Sequence, residues 1–231
     1  MSEHVHRMFS EIAPRYDATN DLLSMGVHRW WRKVAVGLSQ AKPGDAVLDC
    51  ATGTGDLALA FKRAVGPTGS VLGTDFNADM LSFAPKKAAK AGLQVDFEVA
   101  DAMKLPYESG RFTVASISFG IRNVDDPQAC VAELARVVKP GGRVVVLEFG
   151  QPQGLFGAFF RLYARWVMPF LGQLLTGSRA AYEYLPRTMA SFPAGERFVA
   201  MMQATGRYAQ AEAHPLLWGL AYVYVGTVAK E

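Results

Sequence analysis

Val47-Leu48-Asp49-Cys50-Ala51-Thr52-Gly53-Thr54-Gly55-Asp56 is the stretch whose reading decides the fold. Ala46, Val47 and Leu48 begin a buried strand, Asp49 stands at its end, and a glycine-rich turn opens a helix near Asp56. Glycines at 53 and 55 tolerate positive φ and let the backbone approach a ligand with no Cβ in the way. Twenty residues beyond Gly55, the run Val71-Leu72-Gly73 leads to Asp75. An acid at the tip of the second strand of a βαβ unit stands where two ribose hydroxyls are held. The stretch therefore predicts a nucleoside-bearing cofactor at the carboxyl edge of a parallel sheet.

Working outward, residues 1–40 read as helical with a break near Pro14. Strand 46–50, helix 56–65, strand 70–75, helix 77–91, strand 95–100, strand 113–118, helix 126–138 and strand 142–149 follow. Strands alternating with helices predict an α/β fold, a parallel sheet with helices on both faces. After Gly150 the pattern changes to a helix over 154–176, and the tail returns to strands at 207–213 and 219–229. The expectation is a single domain, 1–231. It comprises an N-terminal helical cap (1–40), a cofactor-binding core (41–150), a helical insertion or lid (151–205) and two final strands (206–231) with an antiparallel edge.

Gly53-Thr54-Gly55-Asp56-Leu57-Ala58 also satisfies the loose G-x-G-x-x-G/A pattern of dinucleotide binders, which alone is weak. Three features favour S-adenosylmethionine. Asp49, at the strand end before the turn, suits a cationic ligand end better than a pyrophosphate. Asp101 follows the run 95–100 and precedes Ala102 and Leu105-Pro106, as at an adenine-contacting turn. Lys139-Pro140-Gly141-Gly142 leads into Val144-Val145-Val146-Leu147, as before the fifth strand of many methyltransferases. A nicotinamide or flavin nucleotide, or a glycine turn with no ligand, remain the alternatives.

Half of the 231 residues are apolar, ample for a buried core. Cys50 and Cys130 share no C-x-x-C spacing and read as reduced core residues of a cytoplasmic protein. The start MSEHVHRMFSE has no apolar h-region, and His4, His6, His28 and His214 make no metal-ligand cluster, so no metal is expected. The net charge is +3: residues 1–150 hold 17 Lys/Arg against 17 Asp/Glu, and residues 151–231 hold 7 against 4. That excess is too small for a nucleic-acid footprint but compatible with a weak attraction to an anionic membrane surface. The segment 155–175 is long enough to span a bilayer, but Arg161, Arg165 and Pro169 argue against it. An interface-lying or lid helix, or an ordinary buried helix, remains.

Tyr16-Asp17-Ala18-Thr19-Asn20, followed by Leu23-Ser24 and His28-Arg29-Trp30-Trp31, resembles the N-terminal signature of the ubiquinone/menaquinone biosynthesis C-methyltransferases, departing at Thr19, where the family has methionine. Arg136-Val137-Val138-Lys139-Pro140-Gly141-Gly142 through Leu147-Glu148-Phe149 resembles the second signature, with Gly150 where serine is usual. Ser118-Phe119-Gly120-Ile121-Arg122-Asn123-Val124, Tyr182-Glu183-Tyr184-Leu185 and Phe192-Pro193 match further segments. The resemblance covers essentially the whole chain. It implies a Rossmann-like class I methyltransferase, dependent on S-adenosylmethionine and acting on a prenylated quinol, with demethylmenaquinol favoured over a benzoquinol by the short lead before Tyr16. Peripheral contact with the inner face of a membrane and a homodimer are compatible with it. Cofactor contacts carried over from the family are Thr54, Asp75, Asp101, Ala102 and Ser118. The family's C-terminal A-[LIV]-H-x-G histidine is absent, Tyr222-Val223-Tyr224-Val225-Gly226 standing there instead.

Methylating a quinol ring carbon requires an electron-rich carbon aimed at a sulfonium methyl in a dry pocket, with the phenolate favoured. Arg122 is the first candidate to stabilise that phenolate; the alternative is a loop-fixing pair with Asp125 or Asp126. Asn123 is expected to orient the quinol oxygen or to cap helix 126–138. Tyr16 and Asp17 close over the cofactor or stop a helix. His28 is a candidate base or a packing residue, and Glu148 lines the pocket or forms a buried salt bridge. A methyltransferase for another aromatic or lipid-like acceptor, and a catalytically idle cofactor-binding scaffold, are the competing readings.

Overall fold

The computed structural model describes residues 3–176 and 179–230; Met1, Ser2, Gly177, Ser178 and Glu231, which fall in the expected cap, insertion and tail, lie outside the described residues. Five parallel strands come first: β1 (Ala46–Cys50), β2 (Ser70–Asp75), β3 (Asp96–Val99), β4 (Phe112–Ser118) and β5 (Val138–Phe149). An antiparallel pair, β6 (Tyr208–Leu216) and β7 (Ala221–Val228), completes one sheet in the order β3-β2-β1-β4-β5-β7-β6. The order reverses at β1, between β2 and β4, and such a switch point leaves a crevice beyond the carboxyl ends of the strands.

Three helices precede the sheet: α1 (Glu3–Ile12), α2 (Tyr16–Leu23) and α3 (Val27–Ser39), with a 3-10 turn at Ala13–Arg15 carrying the expected break at Pro14. Then come α4 (Asp56–Val65), α5 (Ala78–Leu81), α6 (Ala84–Lys90) and α7 (Pro127–Val137). Among the described residues, four helices separate β5 from β6: α8 (Gly154–Leu162), α9 (Met168–Thr176), α10 (Arg179–Ser191) and α11 (Glu196–Ala204). Successive strand residues serve opposite faces. Val144 and Val146 pack with Cys130, Leu134, Phe198 and Met202 from α7 and α11. Val145 and Leu147 pack with Trp31, Leu57, Phe61 and Val65 from α3 and α4. Cys50 and Cys130 are both buried and free.

Two elements depart most from the expected boundaries. The helix expected over 77–91 is two helices. Asn77 caps α5, its Oδ1 accepting from the Asp79 and Met80 amides, and Pro85, lacking an N–H, starts a new helix. Strand β5 begins at Val138 rather than 142, because Val138 pairs with Phe112 before the register slips to Val114–Arg143 across the Lys139–Gly142 stretch. The helix expected over 154–176 runs through Pro169. A π turn over Tyr163–Val167, with the Met168 amide bonded to the Tyr163 carbonyl, absorbs the proline and joins α8 to α9. Among the described residues no helix is long and apolar enough to cross a membrane.

Candidate functional site

Strands β1 and β4 end in unusual backbone. Ala51 (φ 49°) and Phe119 (φ 54°) occupy the left-handed region, at about 1–2 kcal/mol for each non-glycine residue. Such strain gathers at ligand sites, where the surrounding structure over-determines it. Gly120 permits the close approach of the two turns, since a Cβ there would stand 2.4 Å from that of Ala51. Gly53 (φ 57°) and Gly55 (φ 88°) carry the chain from β1 into α4.

Asp75, at the end of β2, organises the turn. Its Oδ2 accepts from the Gly53 amide at 2.8 Å and its Oδ1 from the Asn77 amide at 2.8 Å. Burial pushes its carboxyl up, and the backbone amides of Asn77 and Gly53 oppose that rise. Each carboxylate oxygen has a second lone pair, so both can still accept from a pair of hydroxyls.

A cavity opens beside it, lined by Gly53, Asp75, Asp101, Ala102 and Ser118 together with Tyr16 and Asn123. These seven expected residues come from several elements and meet at one sheet edge. The Ser118 hydroxyl is buried there without a hydrogen-bond partner, a donor and acceptor that a ligand would satisfy. Asp101 turns one oxygen to the Met103 amide at 2.9 Å. Asn123 accepts from the Tyr184 hydroxyl at 3.1 Å, which leaves its NH₂ as a donor, while Asp126 rather than Asn123 caps α7. An acid with spare lone pairs and an unpaired hydroxyl at one cavity fit a nucleoside.

Five expected residues do not line that cavity. Asp49 is fully buried behind the turn, accepting from Thr52 Oγ1 at 2.6 Å and Ser116 Oγ at 2.7 Å, and burial pushes its carboxyl up to about 6. Gly55 packs against Ala84 and Phe97. Thr54 donates to Asp17 Oδ1 at 2.7 Å. Lys87 of α6 reaches Asp17 (2.5 Å), Asp56 (2.7 Å) and Thr54 (2.9 Å), fastening α2 to the glycine turn. His28 joins α2 to α3, with Nδ1 at 2.5 Å from Ser24 Oγ and Nε2 at 3.2 Å from Asp21; desolvation pulls its pKa down. Arg122 pairs with Glu148, not with Asp125 or Asp126: Nη1 donates to Glu148 Oε1 and to the Phe119 carbonyl, both at 2.7 Å. The Glu148 side chain is fully buried and that of Arg122 nearly so.

Residues without a sequence signal complete the wall: Phe9, Phe76, Asn77, Met80 and Met103. Asn77 could have been read as the cap of a helix starting at 78. The apolar four look like any core position. Away from the cavity, Tyr224 accepts from the Gly195 amide at 2.9 Å, and burial raises its pKa further from a base's range. Gly150 is explained by its neighbours: a Cβ there would stand 2.4 Å from the Gly219 carbonyl and 2.5 Å from the Tyr222 ring. Among the described residues no group of three or more His, Cys, Asp or Glu could hold a metal ion.

Solved structures share this architecture. A SAM-dependent methyltransferase from Thermotoga maritima aligns with a TM-score of 0.67 at 18% identity, over 96% of this chain and 98% of its own. The cyclase SpnF aligns with a TM-score of 0.65 at 17% identity, over 98% and 96%. At such identities they show the fold, a Rossmann-like class I fold, and the cyclase shows that the fold alone does not fix the reaction. Sequence relatives are closer. The ubiquinone/menaquinone biosynthesis C-methyltransferase UbiE of Bdellovibrio bacteriovorus is 52% identical over 98% of this chain and 96% of its own length. The demethylmenaquinone methyltransferase of Thermus thermophilus is 48% identical over 95% and 99%. The ubiE/COQ5 methyltransferase family model matches residues 1–228, taking in the cap, the crevice and the final strands alike. With nearly the whole chain matched, and not the glycine turn alone, this protein belongs to the ubiE/COQ5 methyltransferase family.

Proposed function

We propose that the protein methylates a ring carbon of a prenylated quinol, converting demethylmenaquinol to menaquinol with S-adenosylmethionine as donor. The observation that carries this reading is the cavity at the switch point, where Asp75, Asp101 and the unpartnered Ser118 hydroxyl meet Tyr16 and Asn123. Asp75 would hold the ribose hydroxyls, with Gly53, Asp101, Ala102 and Ser118 completing the cofactor's surroundings. When bound, the cofactor supplies an electrophilic methyl group. The chain's own task is to orient the quinol, exclude water and favour its phenolate.

The Asn123 NH₂ is free to donate to a quinol oxygen, and the Tyr184 hydroxyl fixes the amide's orientation. Phe9 and Tyr16 come from the N-terminal helices and close the cavity against water. Arg122 acts one step back: it holds the Phe119 carbonyl and Glu148, and so positions the 119–124 turn that carries Asn123. Residues 1–40 and 151–205 act as cap and lid on one catalytic domain, and a peripheral contact at the inner face of the membrane gives access to a lipid-soluble substrate.

A benzoquinol is the second reading, favoured by the joint ubiquinone/menaquinone name of the Bdellovibrio relative. Purified protein incubated anaerobically with S-adenosylmethionine and short-chain demethylmenaquinol or benzoquinol decides it by mass spectrometry. A gain of one CH₂ on the naphthoquinol ring supports the main reading. Methylation of the benzoquinol alone selects the second, and no transfer to either refutes both.

A further inference from the structure

A second, larger cavity of about 680 Å³ lies under the α8–α9 pair, and the quinol reading leaves it unused. Its walls are apolar: Phe160, Ala164, Trp166 and Pro169 on one side, Pro186 and Met189 of α10 on the other. Its floor is the chain leaving β5. Gln151 secures that floor, its Nε2 donating to the Met189, Ala190 and Phe192 carbonyls at 3.0, 2.8 and 3.2 Å. Helix α10 stands between this groove and the crevice, since Tyr184 reaches Asn123 while Pro186, Met189 and Ala190 line the groove.

Two features specify an occupant. Arg161 and Arg165 line the groove, both exposed and neither paired with a carboxylate among the described residues. Guanidinium groups one helical turn apart suit the oxygens of a phosphate, and a neutral isoprenoid tail has no use for them. Trp166 belongs both to the groove and to an outward stripe of Leu155, Phe159, Leu162, Trp166, Phe170 and Leu174, each at least 60% exposed. Met25, 87% exposed, and Trp218, 76% exposed, flank that stripe. Trp218 packs on Phe156 (centroids 5.1 Å apart), and the Tyr163 hydroxyl bonds the Leu23 carbonyl at 3.0 Å. The groove thus opens onto an apolar face with its cations at the boundary, as in a helix lying in a lipid interface.

We infer that the groove is a binding site for an anionic phospholipid, its phosphate held by Arg161 and Arg165 and one acyl chain lying along Phe160, Ala164 and Met189, the stripe resting in the same monolayer. This deepens the membrane contact proposed above and rests on that reading, but it requires no quinol and no turnover.

Flotation with phosphatidylcholine vesicles, with and without phosphatidylglycerol, tests it. The protein should float with the anionic vesicles, and Arg161→Gln/Arg165→Gln should bind them roughly 25-fold more weakly, each cation near an anionic surface contributing a factor of about 5. Ala190→Phe places a ring in the groove from an exposed position and should lower binding as well. By calorimetry, dispersed dihexanoyl-phosphatidylglycerol should bind the parent but not Ala190→Phe, and glycerol phosphate should bind neither. Equal flotation on neutral vesicles, full binding by Ala190→Phe, or displacement of the short lipid by an equimolar neutral prenylated quinol would each overturn the assignment. All variants should keep parental turnover on a soluble short-chain quinol. Methylation without anionic-lipid binding therefore sinks this inference alone, and lipid binding without methylation sinks only the catalytic reading.

Discussion

The sheet strands and the α8–α9 pair are both written in large apolar residues, and they put them to opposite uses. Leu48 and Ile117 are fully buried, whereas Leu155 is 93% exposed and Phe159 69%. The first set removes apolar surface from water within the chain; the second keeps it in reserve for something outside. The polar residues invert in parallel. Within the sheet, Asp49 and Glu148 are buried with partners, while on α8 and the π turn Arg161 and Arg165 stay exposed with no carboxylate partner among the described residues, Arg165 lying over the Trp166 ring. Hydrophobicity alone thus identifies surface that wants covering, not what covers it.

The sharpest attempt to break the contrast is Arg122→Ala, which leaves Glu148 buried without its cation. Loss of roughly 3–5 kcal/mol is expected by denaturant unfolding, the cost of orphaning one member of a buried pair. Arg122→Met with Glu148→Leu should recover most of that stability but not turnover, because the Phe119 carbonyl and the 119–124 turn still lose their tie. If Arg122→Ala is as stable as the parent, the pair is not structural. Asp75→Ala comes next: weaker S-adenosylmethionine binding by roughly 1.5–3 kcal/mol in calorimetry, from the loss of charge-assisted bonds. Unchanged affinity in a folded variant would take Asp75 out of the site.

Asp49 gives a smaller, pH-dependent effect. Its folded carboxyl titrates at about 6, against 3.8 for an aspartate free in water, so between those values the folded state holds the extra proton. Its contribution to stability is present below about pH 4 and is lost as pH rises through about 6. Asp49→Asn should flatten the pH dependence of the thermal midpoint across that window relative to the parent; parallel profiles would refute the shift. The smallest change is expected from Leu155→Ser with Phe159→Ser, each within about 0.5 kcal/mol of neutral because nothing in the fold covers them. A loss of several kcal/mol would make the stripe part of the core and erase the contrast.

The glycine turn and Asp75 were legible because each serves a backbone need that few residue types meet, whereas Asp49, read as facing a ligand, ties Thr52 and Ser116 behind the turn. The strands β1 and β2 and the helix α4 followed from period and punctuation, within the limits read. The start of the helix at 77 was legible, but its break before Ala84 was missed, because a proline in the first turn of a helix fits a continuing pattern as well as a new start. Arg122's partner was misread for a different reason. Glu148 lies 26 residues away, and only parallel β4–β5 pairing brings the two together, whereas Asp125 and Asp126 are near in sequence. The same distance hid the Lys87 cluster, whose members Asp17, Thr54 and Asp56 lie far from it along the chain. The exposed stripe on α8–α9 was visible as apolar spacing, but burial and exposure give the same spacing.

Asn77 does two jobs with one amide. While its Oδ1 caps α5, its Nδ2 donates to the His6 carbonyl at 3.0 Å and to Ser10 Oγ at 3.1 Å, both on α1. Its own backbone N–H is held by Asp75. The first helix of the chain is therefore moored to the very carboxylate proposed to grip a nucleoside. Thermodynamic reciprocity then applies: whatever occupancy of Asp75 does to the docking of α1, the docking of α1 does in equal measure to the affinity of that site. An N-terminal segment that looks like an appendage to the sheet becomes an adjustable determinant of how tightly the sheet holds its ligand.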